Sequence, residues 1–170
     1  MLYTPAEANK LLRSLQDREQ MLLEEEQRNS TFVVAHVENP EDVRPAYDFE
    51  KTEDDLARIR WDILQVKHAI NQFNVSTEVP DTGVSVDAIL VLIPKLTERQ
   101  RILRAMASKS PKERKASYNS GLVEYSYTNY DVQEVRKQYG SCSNELDRLR
   151  TALDTLNNTA REIVIDDSIR

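Results

Sequence analysis

The chain has 170 residues, 31% of them charged and 6% aromatic, with a formal net charge of −6, which fits one domain and disfavours nonspecific binding to nucleic acid. Its one cysteine, Cys142, excludes an intrachain disulfide and favours a reducing, cytoplasmic compartment. We expect no signal peptide and no membrane partner, because the start lacks a basic and apolar leader and no apolar run approaches the roughly 20 residues that span a bilayer.

A first helix is predicted from Pro5 to about Arg28. Thr4 is placed to cap its N-terminus, proline is favoured at the first helical position, and Glu7 completes a capping box. Residues 31–37, which follow, are rich in β-branched side chains, and they predict a short strand.

A second helix is predicted after an irregular arm over residues 38–50, which contains two prolines. The helix should start after Thr52 and present one apolar seam. The seam consists of six residues at alternating spacings of three and four: Leu56, Ile59, Ile63, Val66, Ile70 and Phe73.

A third helix should begin after Ser85 and extend to about Ser108, with a kink one turn before Pro94, because proline removes a backbone donor. Residues 109–120 are polar and predict a loop. Residues 122–128 predict a second short strand with three side chains on one face, Val123, Tyr125 and Tyr127.

A fourth helix should open near residues 128–129. Its apolar seam has the same alternating spacing over ten positions, the strongest pattern in the chain: Val132, Val135, Tyr139, Cys142, Leu146, Leu149, Leu153, Leu156, Ala160 and Ile163. Cys142 falls within this seam and is expected to pack as a small apolar side chain.

The order helix, strand, helix occurs twice, which indicates an internal repeat with halves 1–82 and 83–165 in a single domain of residues 1–170. The two proposed caps, Thr4 and Ser85, are 81 residues apart. The same offset aligns the pattern L-x-x-R-x-x-x-L in the two halves, with Arg18 matching Arg99. A chance similarity between amphipathic helices is the alternative explanation.

Five short patterns, in order, resemble the septicolysin-like family of uncharacterised bacterial proteins. They are the two L-x-x-R-x-x-x-L patterns, the end of the second helix, the segment before the second strand, and the fourth helix. The residues that carry them are Leu15, Arg18 and Leu22; Ala69, Asn74 and Thr77; Leu96, Arg99 and Leu103; Tyr118, Ser120 and Tyr125; and Leu146, Asp147, Leu153, Leu156 and Asn157. The resemblance implies a helical, oligomeric protein without an established biochemical activity.

Arg18 and Arg99 are the first candidate site residues. Each lies between two leucines, so we expect each to point near the core, where a guanidinium needs a carboxylate. Asp17 and Glu98 are the neighbouring acids, with Asp62 and Asp147 as further candidates. The arrangement predicts either an anion or ligand site or a structural ion pair.

A second candidate site is the basic segment Lys112, Arg114 and Lys115 together with Tyr118. Basic groups interleaved with aromatic rings hold phosphates or single-stranded nucleic acid, although a solvated loop has the same composition. His36 and His68 fall on different elements, so no metal site and no cofactor are predicted.

The sequence therefore predicts a mainly α protein, an antiparallel four-helix bundle with a pseudo-two-fold repeat and a small two-stranded β element. The predicted role is a structural or interaction protein that self-assembles, as a dimer or higher homo-oligomer, through the strand layer and the fourth helix. The alternatives are a metal-dependent hydrolase in a helical bundle and a membrane-damaging protein.

Overall fold

The protein is mainly helical, as predicted. The structure, a computed structural model, describes residues 1–115 and 123–169, and 66% of these described residues are helical. The helices in these residues are α1 (Pro5–Asn29), α2 (Pro40–Val43), α3 (Phe49–Ser76), α4 (Val86–Ala107) and α5 (Val132–Thr159). The strands are β1 (Leu2–Tyr3), β2 (Glu78–Val79), β3 (Val84–Ser85), β4 (Lys112–Lys115), β5 (Glu124–Tyr127) and β6 (Ile163–Val164).

The predicted start of the first helix is confirmed. The Thr4 hydroxyl accepts a hydrogen bond from the Glu7 N–H at 3.2 Å, and the Glu7 carboxylate accepts one from the Thr4 N–H at 2.9 Å. This capping box satisfies two donors that the first turn of a helix leaves open. The bond from the Thr4 N–H, followed by the charge of Arg161, lowers the pKa of Glu7. Ser85 likewise caps α4, which extends through Pro94.

The chain divides into two compact units, Met1–Asn74 with Asn157–Arg170, and Val75–Leu156. This division differs from the predicted halves 1–82 and 83–165 at both boundaries, because residues 75–82 belong to the second unit and the segment from Asn157 onwards belongs to the first. There β6 pairs antiparallel with β1, with Leu2 opposite Val164.

In the first unit, α1 and α3 form an antiparallel pair. Glu19 of α1 binds Arg60 at 2.9 Å, and Glu26, further along α1, accepts a hydrogen bond from the hydroxyl of Tyr47 just before α3. The residue numbers therefore increase along α1 while those of the partners decrease, as in an antiparallel pair. The core of this unit includes Leu15 and Leu56, each about 1% exposed.

In the second unit, α4 and α5 are also antiparallel. Arg150 binds the Thr97 hydroxyl at 3.0 Å, Gln100 binds Ser143 at 2.8 Å, and Arg136 donates to the Ala107 carbonyl at 3.2 Å. The apolar seam of α5 is largely buried, as its spacing predicts. Cys142 lies in a core cluster with Leu103 and Val135.

The strands differ from the prediction at two places. Residues 31–37 form no strand; Val33 and Val37 are exposed, and a turn follows in which the Glu38 N–H donates to the Ala35 carbonyl. Within the described residues no strand pairs with this segment, and β propensity depends on such surroundings. The predicted strand near residues 122–128 is present as β5, and its partner β4 lies inside the segment predicted to be a loop.

Replacing Thr4 with alanine should lower the free energy of unfolding by about 1 kcal/mol, because a donor of the first turn of α1 loses its acceptor. Urea unfolding followed by circular dichroism measures the change. Ser14→Ala, an exposed change in the middle of the same helix, is the control and should cost nothing. An equal loss in both variants would contradict the role of the cap.

Candidate functional site

The β4–β5 hairpin projects one chemically uniform face. The pairing places Lys112 opposite Tyr127 and Arg114 opposite Tyr125. Because directly opposed residues share a face of a sheet, these four side chains lie together. The other face carries Glu113, Lys115, Glu124 and Ser126. The first face therefore combines two cations and two aromatic rings without a carboxylate.

The cation of Lys112 lies over both rings. Its Nζ is 4.2 Å from the ring centre of Tyr125 and 5.5 Å from that of Tyr127. At this range the ammonium is attracted to the electron-rich face of the ring. The contacts hold the Lys112 side chain across the hairpin. All eight residues of β4 and β5 are exposed, including 47% of Tyr125 and 65% of Tyr127.

The predicted basic-aromatic site is thus brought together in part. Lys112 and Arg114 share the tyrosine face, while Lys115 lies on the opposite face, where its Nζ is 3.9 Å from the Glu113 carboxylate. Tyr118 lies outside the described residues. Pairing of β4 with β5 places Tyr127 directly opposite Lys112, although the two are 15 positions apart in the sequence.

A groove of about 390 Å³ lies between α1 and α3. Arg18 and Asp62 line it, together with Glu25, Asp55 and Arg58. Arg58 and Asp55 form an ion pair of 3.4 Å on α3. The groove lining thus carries three acids and two bases. Its balance of charge fits an ion-pair network better than a site for an anion.

The expectation that Arg18 and Arg99 point near the core is wrong, because both side chains are exposed. Each is three residues from a buried or half-buried leucine, which places it at the margin of the apolar stripe. At this position a guanidinium that points to solvent costs less free energy than one that is buried. Glu98 binds Arg101 on its own helix, at 2.8 Å, and Asp17 is exposed.

A second groove, of about 480 Å³, adjoins the first and shares Leu22, Glu25 and Asp55 with it. The Tyr47 hydroxyl donates to Glu26 Oε1 here at 2.8 Å. Partial burial, followed by the bond to Glu26 and its charge, raises the pKa of Tyr47. The bond joins α1 to the segment that leads into α3.

Within residues 1–115 and 123–169, no group of three or more His, Cys, Asp or Glu side chains is placed to hold a metal ion. The Cys142 thiol is buried and lies 3.6 Å from the Leu96 carbonyl. No helix in the described part of the chain is long and apolar enough to cross a membrane. Searches of family models, of curated proteins and of solved structures found no match for this chain.

Lys112→Gln should loosen the hairpin by about 0.5–1 kcal/mol, because an exposed cation–π contact has that strength. Amide hydrogen exchange of Glu124 and Ser126, whose N–H groups face β4, should become about two- to fivefold faster. Lys115→Gln removes a cation from the opposite face and serves as the matched control. Equal acceleration in both variants would show that the ring contacts of Lys112 do not order the hairpin.

Glu26→Gln should lower the pKa of Tyr47 part of the way to its ordinary value, because the negative charge is lost while the partial burial remains. The neutral phenol stabilises the fold below the unfolded pKa, and this stabilisation is lost as the pH rises through the higher folded pKa. Absorbance titration at alkaline pH, with Tyr47→Phe subtracted, measures the value. Glu24→Gln, on the same helix, should leave it unchanged.

Proposed function

We propose that this protein is a structural or interaction protein that associates with further copies of itself through the β4–β5 hairpin and exposed apolar residues of its helices. The observation that carries the proposal is the hairpin, a two-stranded sheet whose eight residues are all exposed. A two-stranded ribbon is marginal in water, and its unpaired edges favour pairing with another chain. Association would stabilise the element that mediates it.

Exposed apolar residues on two helices support a contribution from helical surfaces. On α3, Trp61 is 61% exposed and Leu64, one turn later, is 54% exposed. On α4, Leu90 and Val91 are also exposed. Tryptophan is enriched at the energetically important positions of protein interfaces.

The burial of the α5 seam favours helical contacts on helices other than α5. Its seam residues from Val132 to Leu156 are buried within the chain itself, apart from the half-buried Tyr139. An apolar seam that is already covered offers no surface to a partner. The proposal therefore places the helical contacts on α3 and α4 instead.

We also propose that the chain arose by duplication. Two features support this. In each unit a two-residue strand leads into a capped helix, α1 after Thr4 and α4 after Ser85, and pairs with a strand that follows a 28-residue helix.

The four-helix bundle stays a prediction. The buried free thiol of Cys142 supports residence in the reducing cytoplasm.

Size-exclusion chromatography with light scattering at micromolar concentration should give a multiple of the 19.6 kDa chain mass. A stable monomer across this range would contradict the proposal.

Trp61→Ala should weaken association by about tenfold or more, because it removes a large apolar side chain from the proposed contact. Sedimentation over a concentration series measures the change. Lys67→Ala, an exposed polar change on the same helix, is the matched control. Equal affinities of the two variants would remove α3 from the interface.

A further inference from the structure

Resting on the self-association proposed above, we propose that two copies join through the free edges of β5, antiparallel and centred on Ser126. The product would be a continuous four-stranded sheet in the order β4, β5, β5 of the second copy, β4 of the second copy. The partner is a second copy of this chain, and the two-fold relation closes the assembly as a dimer.

The hydrogen bonds of the hairpin define which backbone groups of β5 are free. The Thr128 N–H donates to the Pro111 carbonyl at 3.2 Å, one step beyond the pair formed by Lys112 and Tyr127. Bonded and non-bonded pairs alternate along an antiparallel ladder. Ser126 therefore directs its N–H and carbonyl towards β4, whereas Tyr125 and Tyr127 direct theirs to the outer edge.

A second β5 fits this edge in one antiparallel register. When Ser126 faces Ser126 of the second copy, Tyr125 faces Tyr127 of that copy, and each such pair exchanges two backbone hydrogen bonds. The symmetric pairing gives four intermolecular hydrogen bonds. It pairs every outward N–H and carbonyl group of Tyr125 and Tyr127 in both copies. It also sets aromatic rings of the two copies directly opposite each other, a stabilising cross-strand pair.

Charge selects β5 over β4 for this contact. The same symmetric pairing of two β4 strands around Glu113 would set Lys112 opposite Arg114, and Glu113 opposite itself. Like charges directly opposed are destabilising, and lysine on an edge strand blocks pairing. From Tyr125 to Tyr127, β5 has no charged side chain. Charged side chains therefore disfavour pairing with another strand at the β4 edge of the hairpin, whereas the β5 edge can pair.

Disulfide trapping tests the register. Across a non-hydrogen-bonded pair the Cα atoms are about 4.5 Å apart, within the range that a disulfide bridges. Ser126→Cys should therefore form a covalent dimer on mild oxidation. Glu113→Cys, directly opposite on the protected strand, is the control and should remain uncrosslinked. The parent chain controls for the buried Cys142.

A matched pair of prolines tests the edge. Tyr125 and Arg114 are opposite each other, and both direct their N–H away from the hairpin, so neither proline breaks a bond between β4 and β5. Tyr125→Pro should weaken dimerisation about tenfold or more, because two intermolecular hydrogen bonds are lost. Arg114→Pro should leave the dimer intact. NMR amide signals of β5 verify that each hairpin is folded.

The outcomes separate the two proposals. A dimer that is trapped at residue 126 and weakened only by Tyr125→Pro supports β5 pairing. A dimer without the cross-link, or one that both prolines affect equally, overturns β5 pairing and leaves self-association standing. Open polymers would indicate β5 against β4 of the next copy, and they too overturn it. A monomer in the parent chain removes the proposed function itself.

Discussion

Burial of one apolar stripe on each long helix, α1, α3, α4 and α5, is the constraint on which the rest of this structure depends. Leu146 of α5, Leu56 of α3 and Leu15 of α1 have almost no contact with water. Each such side chain contributes about 1.5–3 kcal/mol when it leaves water. With few aromatic residues in the chain, these aliphatic stripes supply most of the apolar burial. They fix which face of each helix turns inward.

The polar contacts between helices lie beside those stripes. Within each unit, ion pairs and hydrogen bonds join the helices along the margin of the buried seam, as with Glu19 and Arg60, or Gln100 and Ser143. These contacts are partly or wholly exposed, and exposed pairs contribute little free energy. Their effect is on register: they favour one antiparallel alignment among several that the apolar residues alone would allow.

The hairpin is exceptional because it has no core of its own. β4 and β5 are stabilised by their backbone ladder and by the contact between Lys112 and two tyrosine rings. An element with so little buried area is costly to order in isolation. Its chemistry is also asymmetric, with charge on one edge strand and uncharged tyrosines on the other. This asymmetry of charge favours association through the edge of β5.

The groove between α1 and α3 shows the limit of reasoning from spacing. An arginine three positions from a core leucine lies at the boundary between core and solvent, and the helical period cannot decide which side it takes. Arg18 takes the solvent side and lines the groove with Asp62. Arg99, which aligns with Arg18 in the proposed repeat, is also exposed.

The sequence by itself determined the helices. The capping box at Thr4 and the cap at Ser85 are local signals, and both are present where the pattern predicts them. The seams of α3 and α5 have a fixed period and are largely buried, but α5 ends at Thr159, so Ala160 lies beyond the helix and Ile163 belongs to β6. Only the tertiary structure decided which segments pair as strands. Residues 31–37 have high β propensity but no partner strand in the part of the chain that the structure describes, whereas the highly charged β4 is a strand because β5 lies beside it. A helix satisfies its hydrogen bonds within its own segment, but a strand depends on a second segment, and that pairing is a property of the fold.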